Sequence, residues 1–276
     1  MRKRIINIIE FGRGDSKRIV GVLEEKLSAA GFSPVRDSID GAELIIVIGG
    51  DGSFLRTLQK YDFPPIPFVG VNTGHLGFFQ ELYEDDLDGF IKKYLEEDYK
   101  KQCYRIISGS VEHGEGSFEF RALNEISVKS ADARLAQMDI YLGDNLIEKF
   151  YGDGVVIATP AGSTSYNYAL GGVIVDPGID LIQLTPIAPI HTTAYRSFTS
   201  GIVLPPGLPV KISPDPDFVS EGSESGRKMM IAIDGNYGHF AGVKSIEAVL
   251  SEQNVNLLRF KDYAFWTTVK QKLLTP

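Results

Sequence analysis

Two glycine-rich stretches, each with an aspartate among the glycines, contain the residues best suited to chemistry in this 276-residue sequence. Gly49–Gly52 reads Gly-Gly-Asp-Gly and follows the apolar run Ile45–Ile48, while Tyr151–Gly154 reads Tyr-Gly-Asp-Gly and begins a second apolar run. Ligands of a parallel sheet bind beyond the carboxyl ends of its strands, where glycines let a phosphate or ribose approach backbone N–H groups. Asp51 places a negative charge where anions are favoured. We therefore expect it to act on a hydroxyl or a metal-bound phosphate, the structural alternative being a helix N-cap.

A compensating cation for Asp51 is expected nearby. Arg56 lies one turn into the helix that follows, so it is the candidate for this cation and for contact with a phosphate group. Its structural alternative is an ordinary solvent-facing position on that helix.

A second group of polar residues lies in the other half of the chain. The segment Thr159–Gly172 supplies hydroxyls and accessible backbone N–H groups, and Tyr166 and Tyr168 offer rings that can cover a purine. Asn124 and Glu125 place an amide and a carboxylate inside an otherwise alternating strand, where they can read ribose hydroxyls and base edges. The alternatives are a plain loop for the segment and an edge or turn role for the pair.

Several familiar motifs are absent. The sequence has no G-x-x-x-x-G-K-[ST] phosphate loop, no G-x-G-x-x-G after a strand and no G-x-S-x-G nucleophile elbow. The four histidines lack zinc spacings, so no metal ligand is assigned, and His75 is equally consistent with a cleft and with a structural role.

The elements that must position these residues change type near residue 100. Strand-like and helix-like segments alternate over residues 1–100, with helices expected near 16–30, 53–61, 85–99 and 260–274, which predicts a doubly wound parallel α/β domain carrying the Gly-Gly-Asp-Gly stretch. Residues 101–250 alternate with period two between Gly and Pro turns, which predicts a second, mainly antiparallel β domain. Residues 251–276 are expected to return to the first domain as a strand and packing helix. Residues 218–228 are expected to form an exposed hairpin loop.

Composition limits the class of partner. The formal net charge of −8 argues against nucleic-acid binding, and no apolar run reaches the ~20 residues of a membrane span. The single cysteine, Cys103, excludes an internal disulfide and indicates a reducing cytoplasm.

Five motifs together resemble the NAD kinase family in its bacterial, Gram-positive type. They are GGDG at 49–52, NTGHLGFF at 72–79, NE at 124–125, YGDG at 151–154 and TPAGSTSYNYALGG at 159–172, with a tail formed by Arg259, Phe260, Phe265 and Trp266. GGDG alone also occurs in lipid kinases and phosphofructokinases, whereas the TP-x-GST-x-Y segment is specific. The order and spacing of the motifs cover nearly the whole chain.

The resemblance implies a transferase that uses ATP to phosphorylate the 2′-hydroxyl of the adenosine ribose of NAD, giving NADP. It further implies an N-terminal α/β domain and a C-terminal β-sandwich domain that binds NAD, and Mg²⁺ carried with ATP; it leaves open whether inorganic polyphosphate can replace ATP. It also implies a homotetramer or homodimer in which the NAD site lies between the domains and borrows residues from a neighbouring subunit. Asp51 would be the catalytic base. NAD contacts are implied for Asp51, Gly52, Phe78, Asn124, Glu125, Tyr151, Asp153, Thr164, Ser165, Tyr166, Asn167, Tyr168, Ala169 and Ala188.

Three departures from the family pattern concern affinity. Ser165 replaces the usual alanine before the tyrosine, Ala169 replaces a frequent serine, and Gly235 falls where some relatives carry a larger polar residue. The rival functions are a lipid kinase, which should carry a GTGND-type loop where this chain reads NTGHLG, a non-catalytic nucleotide-binding regulator, and a purely structural protein.

Overall fold

The structure is a computed structural model that describes residues 3–11, 15–74, 76–132, 134–216, 228–260 and 263–275. The chain divides into two compact units, one formed by Met1–Tyr104 with Asn254–Pro276 and the other by Arg105–Gln253. Most of the predicted hairpin loop at 218–228 lies outside the described residues, as does His75. Within the described part of the chain, no helix is long and apolar enough to cross a membrane.

The first unit is built on a parallel sheet. Its strands pair in the order β2-β1-β3-β4, and the end of the last strand, β16, pairs in parallel with β4 at Leu257 and Phe68. The strand bounds are β1 Ile5–Glu10, β2 Ser33–Arg36, β3 Ala42–Ile48, β4 Phe68–Val71 and β16 Ser245–Arg259. Strands β3 and β4 are almost wholly apolar because a parallel sheet is covered on both faces.

Helices cover this sheet. Those of the first unit are α1 Asp15–Ala29, α2 Asp51–Lys60, α3 Leu87–Leu95, which follows a 3₁₀ turn at Glu84–Asp86, and α5 Phe265–Val269, which continues as a π-helical turn over Lys270–Leu274. Helix α1 buries Ile19, Leu23 and Leu27, which recur at helical spacing. Gly31 follows the helix with a φ of +87°, a backbone conformation that is strained in residues with a β-carbon.

The predicted helix at 85–99 ends earlier than expected. Glu97 adopts a φ of +56°, and the amide of Asp98 donates to the carbonyl of Lys93, so the chain turns away after Leu95. The sequence has no glycine at this point that would have marked the end of the helix. Near the other end of the chain, Phe260 packs in the core of the first unit, and the last helix begins only at Phe265.

The second unit is a sandwich of antiparallel sheets. One sheet has the strand order β12-β11-β10-β7-β14-β15, and the other contains the pairs β9-β8-β13-β16 and the hairpin β5-β6. The bounds are β5 Lys100–His113, β6 Gly116–Ala122, β7 Glu125–Ser130, β8 Ala136–Leu142, β9 Asn145–Gly152, β10 Gly154–Ala158, β11 Ile182–Ile187, β12 Ile202–Leu204, β13 Val210–Pro214, β14 Lys228–Ile233 and β15 Asn236–Ala241. Strands β5 and β16 each cross a unit boundary.

Side chains from both sheets share the core of the second unit. Ile126 and Ile231 from one sheet and Met138 and Ile212 from the other belong to a single buried cluster. Alternation with period two places them on the inner faces. The predicted fold class, a doubly wound α/β domain plus a mainly antiparallel β-sandwich domain with a C-terminal helix packing back, is confirmed.

Candidate functional site

The Gly-Gly-Asp-Gly stretch forms the turn from β3 into α2. Gly49 has a φ of +147°, and a β-carbon there would lie 2.4 Å from Ser53 Oγ, so the turn requires glycine at this position. Gly50 occupies the N-cap of α2, and Asp51 is the first helical residue. The space around Gly50 and Gly52 is open, and Gly52 is exposed, which leaves room for a ligand at this strand end.

The carboxylate of Asp51 does not cap its own helix, so the N-cap interpretation is wrong. Oδ1 accepts the backbone N–H of Phe78 at 2.9 Å and that of Phe79 at 3.1 Å, and Oδ2 accepts the N–H of Phe78 at 3.2 Å. Lys272 Nζ lies 2.6 Å from Oδ2. The side chain keeps 24% of its surface exposed. Asp51 is therefore an oriented carboxylate that still meets solvent.

The segment that holds Asp51 is itself anchored by Arg259. This buried guanidinium donates to the carbonyl of Phe78 at 2.8 Å and to Gln102 Oε1 at 2.8 Å, and it stacks 3.6 Å from the Tyr263 ring centroid. It also reaches the Tyr104 hydroxyl at 3.1 Å, and burial raises the pKa of that phenol. Such a network fixes the peptide whose N–H groups orient the carboxylate.

Arg56 does not supply the cation at Asp51. Its guanidinium packs 5.0 Å from the Phe11 ring centroid and donates to the carbonyl of Gly52 at 3.2 Å, within its own helix. The compensating charge comes instead from Lys272, more than two hundred positions further along the chain. Arg56 remains a candidate for contact with ATP, since its side chain is exposed at this strand end.

In the second unit, Asn124 lies in a break between β6 and β7, and Glu125 is the first residue of β7. The expectation of one continuous strand is wrong here, because Asp234, in the β14–β15 turn, accepts the N–H groups of Leu123 at 2.8 Å, Asn124 at 2.7 Å and Glu125 at 3.2 Å. Asp234 adopts a φ of +48°, a backbone conformation that is strained in residues other than glycine. These bonds take the place of part of a β ladder and fix the backbone that carries the two side chains.

Both side chains of the pair are buried with unused hydrogen-bonding capacity. Asn124 is 6% exposed and Glu125 8% exposed, and neither Asn124 Oδ1 nor Glu125 Oε2 has a partner among the described residues. Burial, with the neighbouring charge of Asp234, raises the pKa of Glu125 to about 8, although a hydrogen bond from Ser165 Oγ at 3.2 Å opposes the shift. Both atoms are therefore available for a hydrogen bond to a bound water or ligand.

The hydroxyl-rich segment folds back onto this pair. It forms a 3₁₀ turn at Ala161–Thr164 and the short helix α4 at Tyr166–Ala169. Thr159 donates its hydroxyl to the carbonyl of Leu123 at 2.6 Å, and a β-carbon on Gly162 would lie 2.1 Å from the carbonyl oxygen of Asn124. Glycine is thus required for the close approach of the turn to the Asn124 backbone.

The remaining predicted contacts in this segment differ in exposure. Asn167 is fully buried, accepts from Thr185 Oγ1 at 2.6 Å and leaves its Nδ2 without a partner in the described part of the chain. Tyr166 is half-buried, and the ammonium of Lys129 lies 5.9 Å from its ring centroid. The others range from half-buried, Thr164 and Ser165, to exposed, Tyr168 and Ala169.

Three further predicted contacts lie near the turn where β9 ends and β10 begins. The N–H of Asp153 donates to the carbonyl of Ile187 at 2.9 Å, which places Asp153 beside Ala188, and Ala188 adopts a φ of +43°. The Tyr151 ring lies 4.2 Å from that of Tyr195. Asp153 and Ala188 are both exposed.

The predicted residues therefore form two sets, each inside one unit. Asp51, Gly52 and Phe78 belong to the first unit and the other predicted NAD contacts to the second. Phe78 is buried, with Lys272 Nζ 4.8 Å from its ring centroid and Phe265 5.9 Å away. Sequence reasoning missed Lys272, since nothing marks one lysine of a lysine-rich tail. It also missed Asp234, although the Asp-Gly pair signalled a turn.

Comparisons with known proteins match both units to the same family. The family model for the ATP-NAD kinase N-terminal domain matches residues 30–99, and that for the C-terminal domain matches residues 123–246. An NAD kinase of Finegoldia magna is 35% identical over 273 residues, covering 98% of both chains, and one of Staphylococcus carnosus is 33% identical over 273 residues, covering 98% of this chain and 97% of the relative.

Solved structures share the fold. Yeast NADH kinase complexed with NADH superposes with a TM-score of 0.83 at 17% identity, over 99% of this chain and 87% of that one. An NAD kinase from Archaeoglobus fulgidus in complex with ATP gives a TM-score of 0.75 at 24% identity, over 97% and 98%.

An α/β unit with an oriented aspartate and a β-sandwich with a buried amide–carboxylate pair define, together with these relatives, a kinase that acts on a nucleotide. The lipid-kinase, regulatory and structural alternatives are thereby set aside. The chain belongs to the NAD kinase family, and it uses ATP to phosphorylate NAD. The predicted resemblance to Gram-positive members is confirmed.

Proposed function

We propose that Asp51 is the general base of this NAD kinase and takes the proton of the 2′-hydroxyl of the adenosine ribose. The observation that carries the proposal is a partly exposed carboxylate held by two backbone N–H groups at the carboxyl end of β3. In the reaction the ribose oxygen forms a bond to the γ-phosphorus, the bond from that phosphorus to the β,γ-bridging oxygen breaks, ADP leaves, and the proton passes to Asp51. Positioning and charge neutralisation supply most of the acceleration.

The nucleoside parts of NAD are assigned to the second unit. Asn124 Oδ1 and Glu125 Oε2 are buried atoms that a ribose or base edge would satisfy, and Asn167 Nδ2 is a third. With its raised pKa, Glu125 carries a proton at neutral pH and can donate a hydrogen bond as well as accept one. The assignments of Tyr151, Asp153, Thr164, Ser165, Tyr166, Tyr168, Ala169 and Ala188 rest on the family motifs.

Mg²⁺ enters with ATP as part of the substrate. Among the described residues no group of three or more His, Cys, Asp or Glu side chains is placed to hold a metal ion. Mg²⁺ commonly binds through substrate phosphates with one or two carboxylates, and we assign its coordination mainly to the phosphates of ATP. Inorganic polyphosphate remains an alternative donor. An activity matrix of ATP or polyphosphate against NAD or NADH identifies the donor and acceptor.

We further propose that the enzyme is a cytoplasmic homotetramer or homodimer. The motif set of the bacterial family supports the assembly, and the single, free cysteine Cys103 supports a reducing compartment. Sedimentation velocity at micromolar concentration tests the assembly, and a monomer throughout that range contradicts it.

The Asp51→Asn variant tests the base. An asparagine keeps an oxygen that accepts the Phe78 and Phe79 N–H groups but cannot take a proton, so we expect kcat for NADP formation to fall about 10²–10⁴-fold. NAD affinity, measured by calorimetry, should change less than about threefold, because the backbone contacts and the second unit remain intact.

The matched control is Asp85→Asn, which removes an exposed carboxylate of the same unit. We expect it to keep the activity of the unmodified enzyme. Turnover by Asp51→Asn at the rate of that control would remove Asp51 from the role of base.

A further inference from the structure

The C-terminal helix delivers one cation to the carboxylate of Asp51. Lys272 Nζ lies 2.6 Å from Asp51 Oδ2, and the same ammonium lies 4.8 Å from the Phe78 ring centroid. The contact is partly exposed, with 31% of the Lys272 side chain and 24% of the Asp51 side chain accessible. It therefore lies where a substrate can reach it.

The helix that carries Lys272 is packed in place. Thr268 and Val269 are buried, and the Phe265 ring lies 5.9 Å from that of Phe78. Lys270, two positions earlier on the same helix, is exposed, as is Lys272, so exposure does not distinguish the two lysines. The ion pair with Asp51 is what places Lys272 at the reaction site.

The position of Lys272 limits its distance from the reacting hydroxyl. A hydroxyl that donates to Asp51 Oδ2 lies about 2.7 Å from it. Since Nζ is 2.6 Å from the same oxygen, Nζ and the hydroxyl oxygen are at most about 5.3 Å apart, the sum of the two distances. An ammonium this near the attacking oxygen is within reach of the phosphoryl oxygens that arrive there.

The charges around this contact change during the reaction. Before transfer, Asp51 is anionic and Lys272 is its counter-ion. When Asp51 takes the hydroxyl proton, the carboxyl group becomes neutral, and the pair of side chains changes from a net charge of zero to +1. The gain of positive charge coincides with the arrival of the anionic phosphoryl group.

We propose that Lys272 is a catalytic cation that pairs with Asp51 in the free enzyme and with the transferred phosphoryl group as Asp51 becomes protonated. The proposal rests on the role of Asp51 as base. Lysine suits this task because its ammonium binds phosphate as a point charge and can move between partners on a flexible stem. Lys272 then both neutralises the base and stabilises the product phosphate.

The test removes the charge and keeps the stem. For Lys272→Met we expect kcat to fall about 10²-fold, as for loss of one electrostatic stabiliser, with a smaller change in KM for NAD. Lys272→Arg should recover part of the loss. The melting temperature should stay within about 4 °C, since a partly exposed ion pair contributes little to stability. Lys270→Met is the matched control and should keep the activity of the unmodified enzyme.

Two readouts separate a catalytic cation from a structural contact. In Lys272→Ala, whose shortened side chain leaves room for a small amine, added ethylammonium should raise kcat in a saturable way, whereas the kcat of Lys270→Ala should not respond. By calorimetry without ATP, Lys272→Met should weaken binding of NADP about tenfold while NAD binding is little affected, because only NADP carries the added phosphate. Absence of both effects, or an increase in kcat, would overturn the proposal.

A double variant distinguishes the proposal for Lys272 from the proposal that Asp51 is the general base. If Lys272 acts in the same step as Asp51, Asp51→Asn/Lys272→Met should be about as slow as Asp51→Asn alone. If kcat falls in Asp51→Asn but not in Lys272→Met, Asp51 keeps its role as base and only the role proposed for Lys272 is rejected. If kcat is unchanged in Asp51→Asn, Asp51 is not the base, and the inference about Lys272 is rejected with it.

Discussion

Two carboxylates of this enzyme occupy opposite environments. Asp51 receives backbone N–H groups and an ammonium near solvent, which suits an anion. Glu125 is buried beside Asp234, which suits a neutral acid. A charged base for the hydroxyl and a protonated acid for the nucleoside can thus coexist at neutral pH.

The protonation of Glu125 predicts a pH dependence of stability. Its folded pKa of about 8 exceeds the ordinary value of 4.5, so between these values the folded state holds a proton that the unfolded state has lost. The free energy of unfolding should therefore fall by a few kcal/mol as pH rises from about 4.5 to 8. Glu125→Gln should remove most of this slope, measured by urea unfolding at several pH values. An unchanged slope contradicts the neutral acid.

At the scale of residues, sequence reasoning identified the carboxylate but not its partner. The Gly-Gly-Asp-Gly turn is local, so its glycines and the exposure of Asp51 follow from neighbouring residues. Lys272 reaches Asp51 through tertiary packing of a segment 221 positions away, and no local pattern distinguishes it from Lys270. Which lysine is used depends on the docking of the C-terminal helix.

At the scale of elements, periodicity identified the types of segment, and specific backbone contacts determined their ends. The break between β6 and β7 depends on Asp234, and the end of α3 depends on the positive φ of Glu97. Neither is a property of hydrophobic spacing. The fold class could therefore be predicted from the sequence, whereas the positions of Asn124 and Glu125 could not.

The close packing of the 3₁₀ turn on Asn124 predicts that a methyl group added at Gly162 lowers stability. Gly162→Ala would place a β-carbon 2.1 Å from the Asn124 carbonyl, so we expect a loss of about 1–3 kcal/mol in stability and weaker NAD binding. Chemical denaturation and calorimetry measure the two effects. Gly21→Ala is the matched control, because its β-carbon meets nothing within 4 Å in α1, and it should stabilise by about 0.5–1 kcal/mol. Equal stability of both variants contradicts this account.

At the scale of the whole molecule, the C-terminal segment completes the hydrophobic core of the first unit. Leu257, Leu258 and Phe260 are buried in its core, and together they contribute about 5–9 kcal/mol. That amount is comparable to the entire stability of a typical domain. Removal of residues 254–276 should therefore unfold the α/β unit.

Two truncations test this dependence by circular dichroism and limited proteolysis. A chain ending at Gln253 should lose the cooperative melting of the first unit. A chain ending at Phe260 should retain it at lower stability and lose most of its activity, because it keeps the core residues and lacks Lys272. Cooperative melting of the first unit in the shorter chain would be inconsistent with closure by the C-terminal segment.

The same closure has a consequence for synthesis on the ribosome. The aspartate turn leaves the exit tunnel early, whereas Arg259, which anchors the peptide around it, and Lys272 emerge only after about two hundred further residues. A nascent chain therefore has no complete reaction centre until this C-terminal segment has been translated, and a chain released before it yields no partly active kinase.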